Sequence, residues 1–207
     1  AFGYLPATQR NVPVFTNTQQ QIDFTLLPLP TGTLQGHVTV TGTDSAPTRT
    51  VTIEALGTPA RTTVSAAGDY SLKLPTGIYT VAARGLGYRV ITATVGVVAG
   101  ETTTRDFILT PAPTLLLVDE GAWYYESQTS YWKAALDALA YTYDEHRIKY
   151  PPAETPISTT LTQYDIVLWS SPKSSPGLVR GGVELDTYLK SGGRLLLSGQ
   201  DVAYYDG

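Results

Sequence analysis

The chain has 207 residues, 42% of them hydrophobic and 15% charged, with a formal net charge of −4. That length suits one or two domains and the apolar share supports a core, which excludes a disordered chain and a basic nucleic-acid-binding surface. Cysteine and methionine are both absent, which excludes disulfides, thiolate metal centres and a cysteine nucleophile.

The first element is half of a repeat. Asp23-Phe24-Thr25-Leu26-Leu27-Pro28-Leu29-Pro30-Thr31 is nearly copied by Asp106-Phe107-Ile108-Leu109-Thr110-Pro111-Ala112-Pro113-Thr114, and Gly3-Tyr4 and Gly87-Tyr88 precede the two copies at nearly equal distances. Self-similarity at fixed spacing marks a structural repeat. The second copy has a long front half, 34–86, which the first lacks. The expectation is that residues 1–30 are closing strands of another repeat and that the chain starts inside a domain. Ile22, Phe24 and Leu26 alternate on one face of a strand. Left bare, such a strand invites pairing, so residues 1–28 are expected to fold back onto a neighbouring domain or to exchange with another molecule.

Residues 33–110 read as all-β. Alternating runs at 37–41, 50–55, 62–66, 70–74, 79–84, 90–98 and 104–109 are rich in β-branched residues and separated by Gly, Pro and Asp turns. This predicts a sandwich of stacked antiparallel ribbons. After Pro111-Ala112-Pro113, read as a hinge, the pattern changes. Continuous apolar runs at 114–119, 165–171 and 194–199 predict strands buried on both faces, and 143–148 predicts one more. Trp132, Ala135, Leu136 and Leu139 place one buried face on a helix over 130–142. A second helix occupies the later part of 177–193, stopped by Gly192-Gly193. Strand–helix alternation predicts a parallel α/β sheet over 114–207, one that looks truncated or minimal. The fold class is therefore multidomain: an all-β sandwich plus an α/β parallel sheet.

Four features over 33–110 carry a resemblance: Gly36-x-Val38, the turn Gly68-Asp69-Tyr70, Gly77-x-Tyr79 and Gly87-Tyr88. Together they resemble the carboxypeptidase regulatory-like domain, a transthyretin-like (Ig-like) β-sandwich. Residues 114–207, through LLLVDEG (115–121), YWKAALDALAYTYD (131–144), QYDIVLWSS (163–171) and LKSGGRLLLSGQD (189–201), resemble the glutamine-amidotransferase-like, flavodoxin-like domains of large secreted bacterial proteins such as subtilisin-type peptidases. Amidotransferase chemistry needs a cysteine on a sharp strand–helix turn, and this chain has none.

Candidate sites gather at the carboxyl edge of the α/β sheet. Asp119 and Glu120 end one strand and Asp201 follows another. Paired carboxylates there either hold a hard cation such as Ca²⁺ or cap helices and turns. Trp123, Tyr124 and Tyr125, with Tyr204 and Tyr205, fall at the same edge. They either offer stacking faces to a carbohydrate or protein ligand or pack under neighbouring loops. Ser198 follows a strand as a nucleophile would, but it needs a base within reach, and the chain's histidines are His37 and His146.

No catalytic residue or cofactor is therefore expected. The resemblances imply a non-catalytic spacer and binding region of an extracellular or cell-surface multidomain protein, a peptidase by association, partnered by other domains of the same chain. The competing expectation is a subunit of an extracellular filament assembled by strand exchange through Ile22, Phe24 and Leu26.

Overall fold

The computed structural model describes residues 1–124, 127–171, 179 and 181–199. The alternating region forms β1 (Thr31–Val40), β2 (Thr52–Ala55), β3 (Arg61–Thr63), β4 (Asp69–Pro75), β5 (Gly77–Arg84), β6 (Ile91–Val97), β7 (Thr102–Thr104) and β8 (Phe107–Leu109). β1 pairs antiparallel with β4 and parallel with β7 and β8. The facing sheet runs β3-β2-β5-β6, antiparallel throughout. Leu34, Val38, Ile53, Leu74, Val81 and Phe107 meet between the sheets in one cluster. Burying each of the larger ones contributes roughly 1.5–3 kcal/mol.

Two expectations need correction. The sandwich is not wholly antiparallel, because its closing strands return alongside β1 in the same direction. β1 also begins at Thr31 rather than His37. Its first half reads as a turn because of Gly32 and Gly36. Gly36 is needed for a different reason: a Cβ there would lie 1.9 Å from the Arg105 carbonyl oxygen, which crosses close above β1. At that crossing Asp106 Oδ1 accepts from the His37 amide at 2.8 Å, and the Tyr70 hydroxyl donates to the Arg105 carbonyl at 2.5 Å. Burial, then the charge of Asp106, pushes the Tyr70 pKa up to about 12.

Residues 1–30 pair with one another, and among the described residues no strand ladder joins residues 1–28 to the sandwich. The pairing at their ends repeats that at the ends of residues 87–113, although β6, β7 and β8 have no strand counterpart within them. Tyr4 bridges Pro28 as Tyr88 bridges Pro111, both antiparallel. Leu5 N donates to Leu27 O and Leu29 N to Gly3 O, each at 2.8 Å, matching Arg89 N to Thr110 O and Ala112 N to Gly87 O, each at 2.9 Å. Gly3 and Gly87 hold φ of +82° and +88°, a conformation that a Cβ penalises. Asn17 and Gly100 turn the chain at matching points, with φ of +59° and +72°. Burial is what differs. Phe107 and Leu109 are 1% and 0% exposed, whereas Phe24 and Leu26 are 53% and 38% exposed.

Beyond Pro113 come β9 (Leu115–Asp119), a 3-10 turn (Glu120–Tyr124), α1 (Thr129–Ala138), β10 (Asp144–Arg147), α2 (Ser158–Leu161), β11 (Ile166–Ser170), α3 (Gly182–Lys190) and β12 (Arg194–Ser198). The four strands are parallel, in the order β10-β9-β11-β12. Leu115 and Leu117 pack against Leu136 of α1 on one face. Leu116 and Val118 pack with Leu161, Leu185 and Tyr188 on the other. Both clusters are separate from the sandwich core. α1 ends earlier than the apolar spacing suggests. Ala140 takes φ +56° and accepts from Val90 N at 2.8 Å, so Leu139 is left exposed, as is Ala135.

That contact also corrects the hinge. The Arg89 guanidinium lies 4.0 Å from the centre of the Tyr141 ring and donates to Tyr141 Oη at 2.9 Å and to the Leu139 carbonyl. Thr142 Oγ1 donates to the carbonyls of Gly85 and Tyr88 at 2.7 and 2.9 Å. A stretch bonded at this density is a clamp, because backbone and side-chain donors from both units are committed across it.

Candidate functional site

Parallel pairing puts the last residues of the four strands in one row. Asp119 lies opposite Arg147 on β10 and Ser170 on β11, and Ser170 lies opposite Ser198 on β12. Register partners in a parallel sheet share a face, and this row shares the face of Leu115 and Leu117, against which α1 packs. Asp119 is 1% exposed, and among the described residues neither carboxylate oxygen has a hydrogen-bond partner. Arg147 Nε donates to Glu145 Oε1 at 2.8 Å, and Lys133 Nζ reaches Glu145 Oε2 at 2.6 Å. The Arg147 pKa is raised by that hydrogen bond first, then by the charge of Glu145, with Asp119 adding to the same effect.

Glu120 is also fully buried but engages different partners. Its Oε2 accepts from Trp169 Nε1 at 2.7 Å and from Ser171 Oγ at 3.0 Å. Trp169 belongs to the cluster with Val118 and Tyr188, so Glu120 is held from the face opposite Asp119. The expectation of a carboxylate pair is corrected on this ground: β9 ends at Asp119, and Glu120, the first residue of the 3-10 turn, is held by Trp169 and Ser171 from the other face. Among the described residues no three His, Asp or Glu side chains converge.

Ser198 and His146 stay apart. They sit on opposite edge strands of the four-stranded sheet, about 14 Å across at the usual strand spacing. His146 Nε2 contacts the Glu154 carbonyl at 2.5 Å. His37 pairs through Nδ1 with Asp69 at 2.9 Å on the sandwich surface. The side chains of Trp123 and Tyr124, together with Tyr125, Tyr204, Tyr205 and Asp201, lie outside the described residues.

One feature escaped sequence reasoning: a cleft of about 780 Å³ between the two units. Glu54, Arg61 and Arg84 line it from β2, β3 and β5, and Asp137, Tyr141 and Asp144 line it from the α/β side. Arg84 Nε holds Glu54 Oε1 at 2.8 Å. These positions read as ordinary solvent-facing sites of alternating strands, and nothing in the sequence signals that a second unit faces them. Interdomain clefts of this size commonly receive ligands.

Residues 33–110 match the family model of the carboxypeptidase regulatory-like domain. A search of curated proteins finds no match. Among solved structures, a chain of a type II cohesin–X-dockerin complex from Acetivibrio cellulolyticus is 21% identical, with 39% of this chain and 58% of that chain covered at a TM-score of 0.33. A minor pilin from Streptococcus agalactiae is 17% identical, with 43% and 49% covered at 0.34. A DUF3823 family protein from Bacteroides ovatus is 21% identical, with 41% and 47% covered at 0.32. The chain thus spans less than two thirds of each of these chains. Among the described residues no helix is long and apolar enough to cross a membrane.

Proposed function

We propose that this chain is a non-catalytic accessory region of a secreted or cell-surface multidomain protein, with a subtilisin-type peptidase as the parent. Carboxypeptidase regulatory-like sandwiches act as spacers. Residues 114–207 form a flavodoxin-like, glutamine-amidotransferase-like unit that binds rather than turns over. Residues 1–30 are the closing strands of a further sandwich. The observation that carries this reading is the duplicated backbone: the same bridge, the same two amide bonds and the same left-handed glycine occur at Gly3–Pro30 and at Gly87–Pro113. Each copy ends in Pro-x-Pro-Thr and leads directly into a strand of the next unit, as a tandem array requires. The clamp at Arg89 and Tyr141 supports a stiff spacer rather than a loose one. The test is an assay of the purified chain against peptide, ester and glutamine substrates. No turnover is expected, and turnover that disappears in Ser198→Ala overturns the proposal.

A second reading is favoured by the exposure of Phe24 and Leu26: a filament subunit whose N-terminal strand completes a neighbour's sheet. It predicts concentration-dependent polymers by light scattering that vanish when residues 1–28 are deleted. A monomer at high concentration with that segment intact removes it.

A further inference from the structure

The strand order β10-β9-β11-β12 reverses direction between β9 and β11. The chain leaves β9 toward α1 on one face and leaves β11 toward α3 on the other. The direction of the connections therefore switches at the carboxyl ends of these two strands, the place where open α/β sheets bind ligands. Asp119 and Ser170 are the last residues of those strands, paired in register on one face. Ser170 is buried, Asp119 is 1% exposed, and among the described residues both Asp119 oxygens lack a hydrogen-bond partner. A buried carboxylate is stable when a cation or a set of donors meets it.

We propose that Asp119 and Ser170 form a site for a hard cation of the Ca²⁺ or Mg²⁺ class. Three observations select that chemistry. Among the described residues, the paired strand-end groups Asp119 and Ser170 offer oxygens, which suit Ca²⁺ and Mg²⁺ over softer metals. The chain has no cysteine or methionine, and His146 is held on the Glu154 carbonyl. Asp119 is a carboxylate at 1% exposure, a buried negative charge that a cation offsets directly. The charges around the row leave a place for it. Lys133 and Arg147 are both engaged by Glu145, and Glu120 is engaged from the far face. Arg147, next to Asp119 in the row, opposes a bound cation and keeps the site weak, in the range of extracellular calcium modules at about 10⁻⁴–10⁻³ M.

The test is calorimetric titration of the chelator-treated full chain with CaCl₂ and with MgCl₂, against NaCl as control, together with thermal melts. One ion per chain is expected for at least one of the two, with a rise in melting temperature. Asp119→Asn weakens binding at least tenfold and Ser170→Ala weakens it severalfold. Arg147→Gln tightens it severalfold, which a purely structural role for Asp119 does not predict. Absence of binding to the wild-type chain overturns the site, as does equal affinity in Asp119→Asn. Should Asp119→Asn fail to fold, unchanged affinity in both Ser170→Ala and Arg147→Gln overturns it instead.

Discussion

Residues 87–113 and 3–30 close with the same backbone pairing at their ends and live in opposite environments. The turn glycines, the Tyr–Pro bridges and the amide bonds around them are alike in both. Phe107 and Leu109 lie beside Val38 and Val40 of β1 and are sealed from water. Among the described residues no such strand lies beside Phe24 and Leu26. Local geometry is thus encoded within each segment by glycine, proline and the spacing between them, whereas burial depends on the partner strand. An energetic difference between the copies measures what β1 and the facing sheet contribute, with the pairing at the ends of each segment in common.

The largest expected contrast is at the aromatic anchor. Phe107→Ala should destabilise the protein by about 3–5 kcal/mol, through lost transfer energy and the cavity left behind. Phe24→Ala should cost less than about 0.5 kcal/mol, as surface changes do. Urea unfolding of both variants checks this, and comparable losses would show that residues 1–30 are buried in solution. Next in size is amide exchange. The Arg89 and Ala112 amides sit in a packed junction, whereas those of Leu5 and Leu29 make the same bonds in the open. Exchange at the first pair should be slower by about 100-fold or more, since opening there breaks tertiary contacts. Similar rates would break the comparison. Smaller again is the glycine contrast. Alanine in the left-handed region costs about 1–2 kcal/mol. In Gly87→Ala that cost should appear in global stability, aggravated by a new Cβ 3.1 Å from Arg49 Cδ. In Gly3→Ala it should leave the melting temperature unchanged, because Gly3–Pro30 opens independently.

Much of this comparison was legible before any coordinates, for identifiable reasons. The repeat is visible because turn chemistry uses few residue types, so copied geometry leaves copied letters. β9 and β11 are visible because two-sided burial forces an unbroken apolar run, and α3 because Gly192-Gly193 punctuates its end. Other parts were hidden. Gly32 and Gly36 disguise the first half of β1, since a glycine needed for the close crossing at Arg105 looks the same as one needed for a turn. α2 is a single turn, too short for periodicity to register. α1 stops at Ala138 because the sandwich recruits the residues after it, a tertiary effect. At the candidate site, placing Asp119 and Glu120 at the sheet edge needed only strand direction. Their divergence needed the exact strand end, and the interdomain cleft needed the docking of two units that no local pattern records.

The smallest predicted effect concerns how each copy hands on to the next unit. After the first copy, Thr31 enters β1 directly and lies opposite Pro75 in the ladder with β4. After the second, Thr114 is fastened by a side chain. Its amide and hydroxyl donate to Asp165 Oδ2 at 2.8 and 2.9 Å, and its hydroxyl accepts from Asp165 N at 2.8 Å. The backbone hydrogen bond from Thr114, then that from its hydroxyl, lowers the Asp165 pKa below the ordinary carboxylate value. A carboxyl whose pKa is lower in the folded state binds protons less readily there than in the unfolded chain. Its contribution is therefore present above the unfolded value of about 3.9 and is lost as pH falls through the folded value. Asp165→Asn should remove about 1 kcal/mol at neutral pH, the net worth of one such bond. It should also flatten the fall in stability below about pH 4. Because Thr31 has no carboxylate partner, the exchange protection of residues 1–30 should not change in that variant. A loss of protection there would mean that the two handovers are mechanically coupled, and the copies could no longer be compared as independent segments.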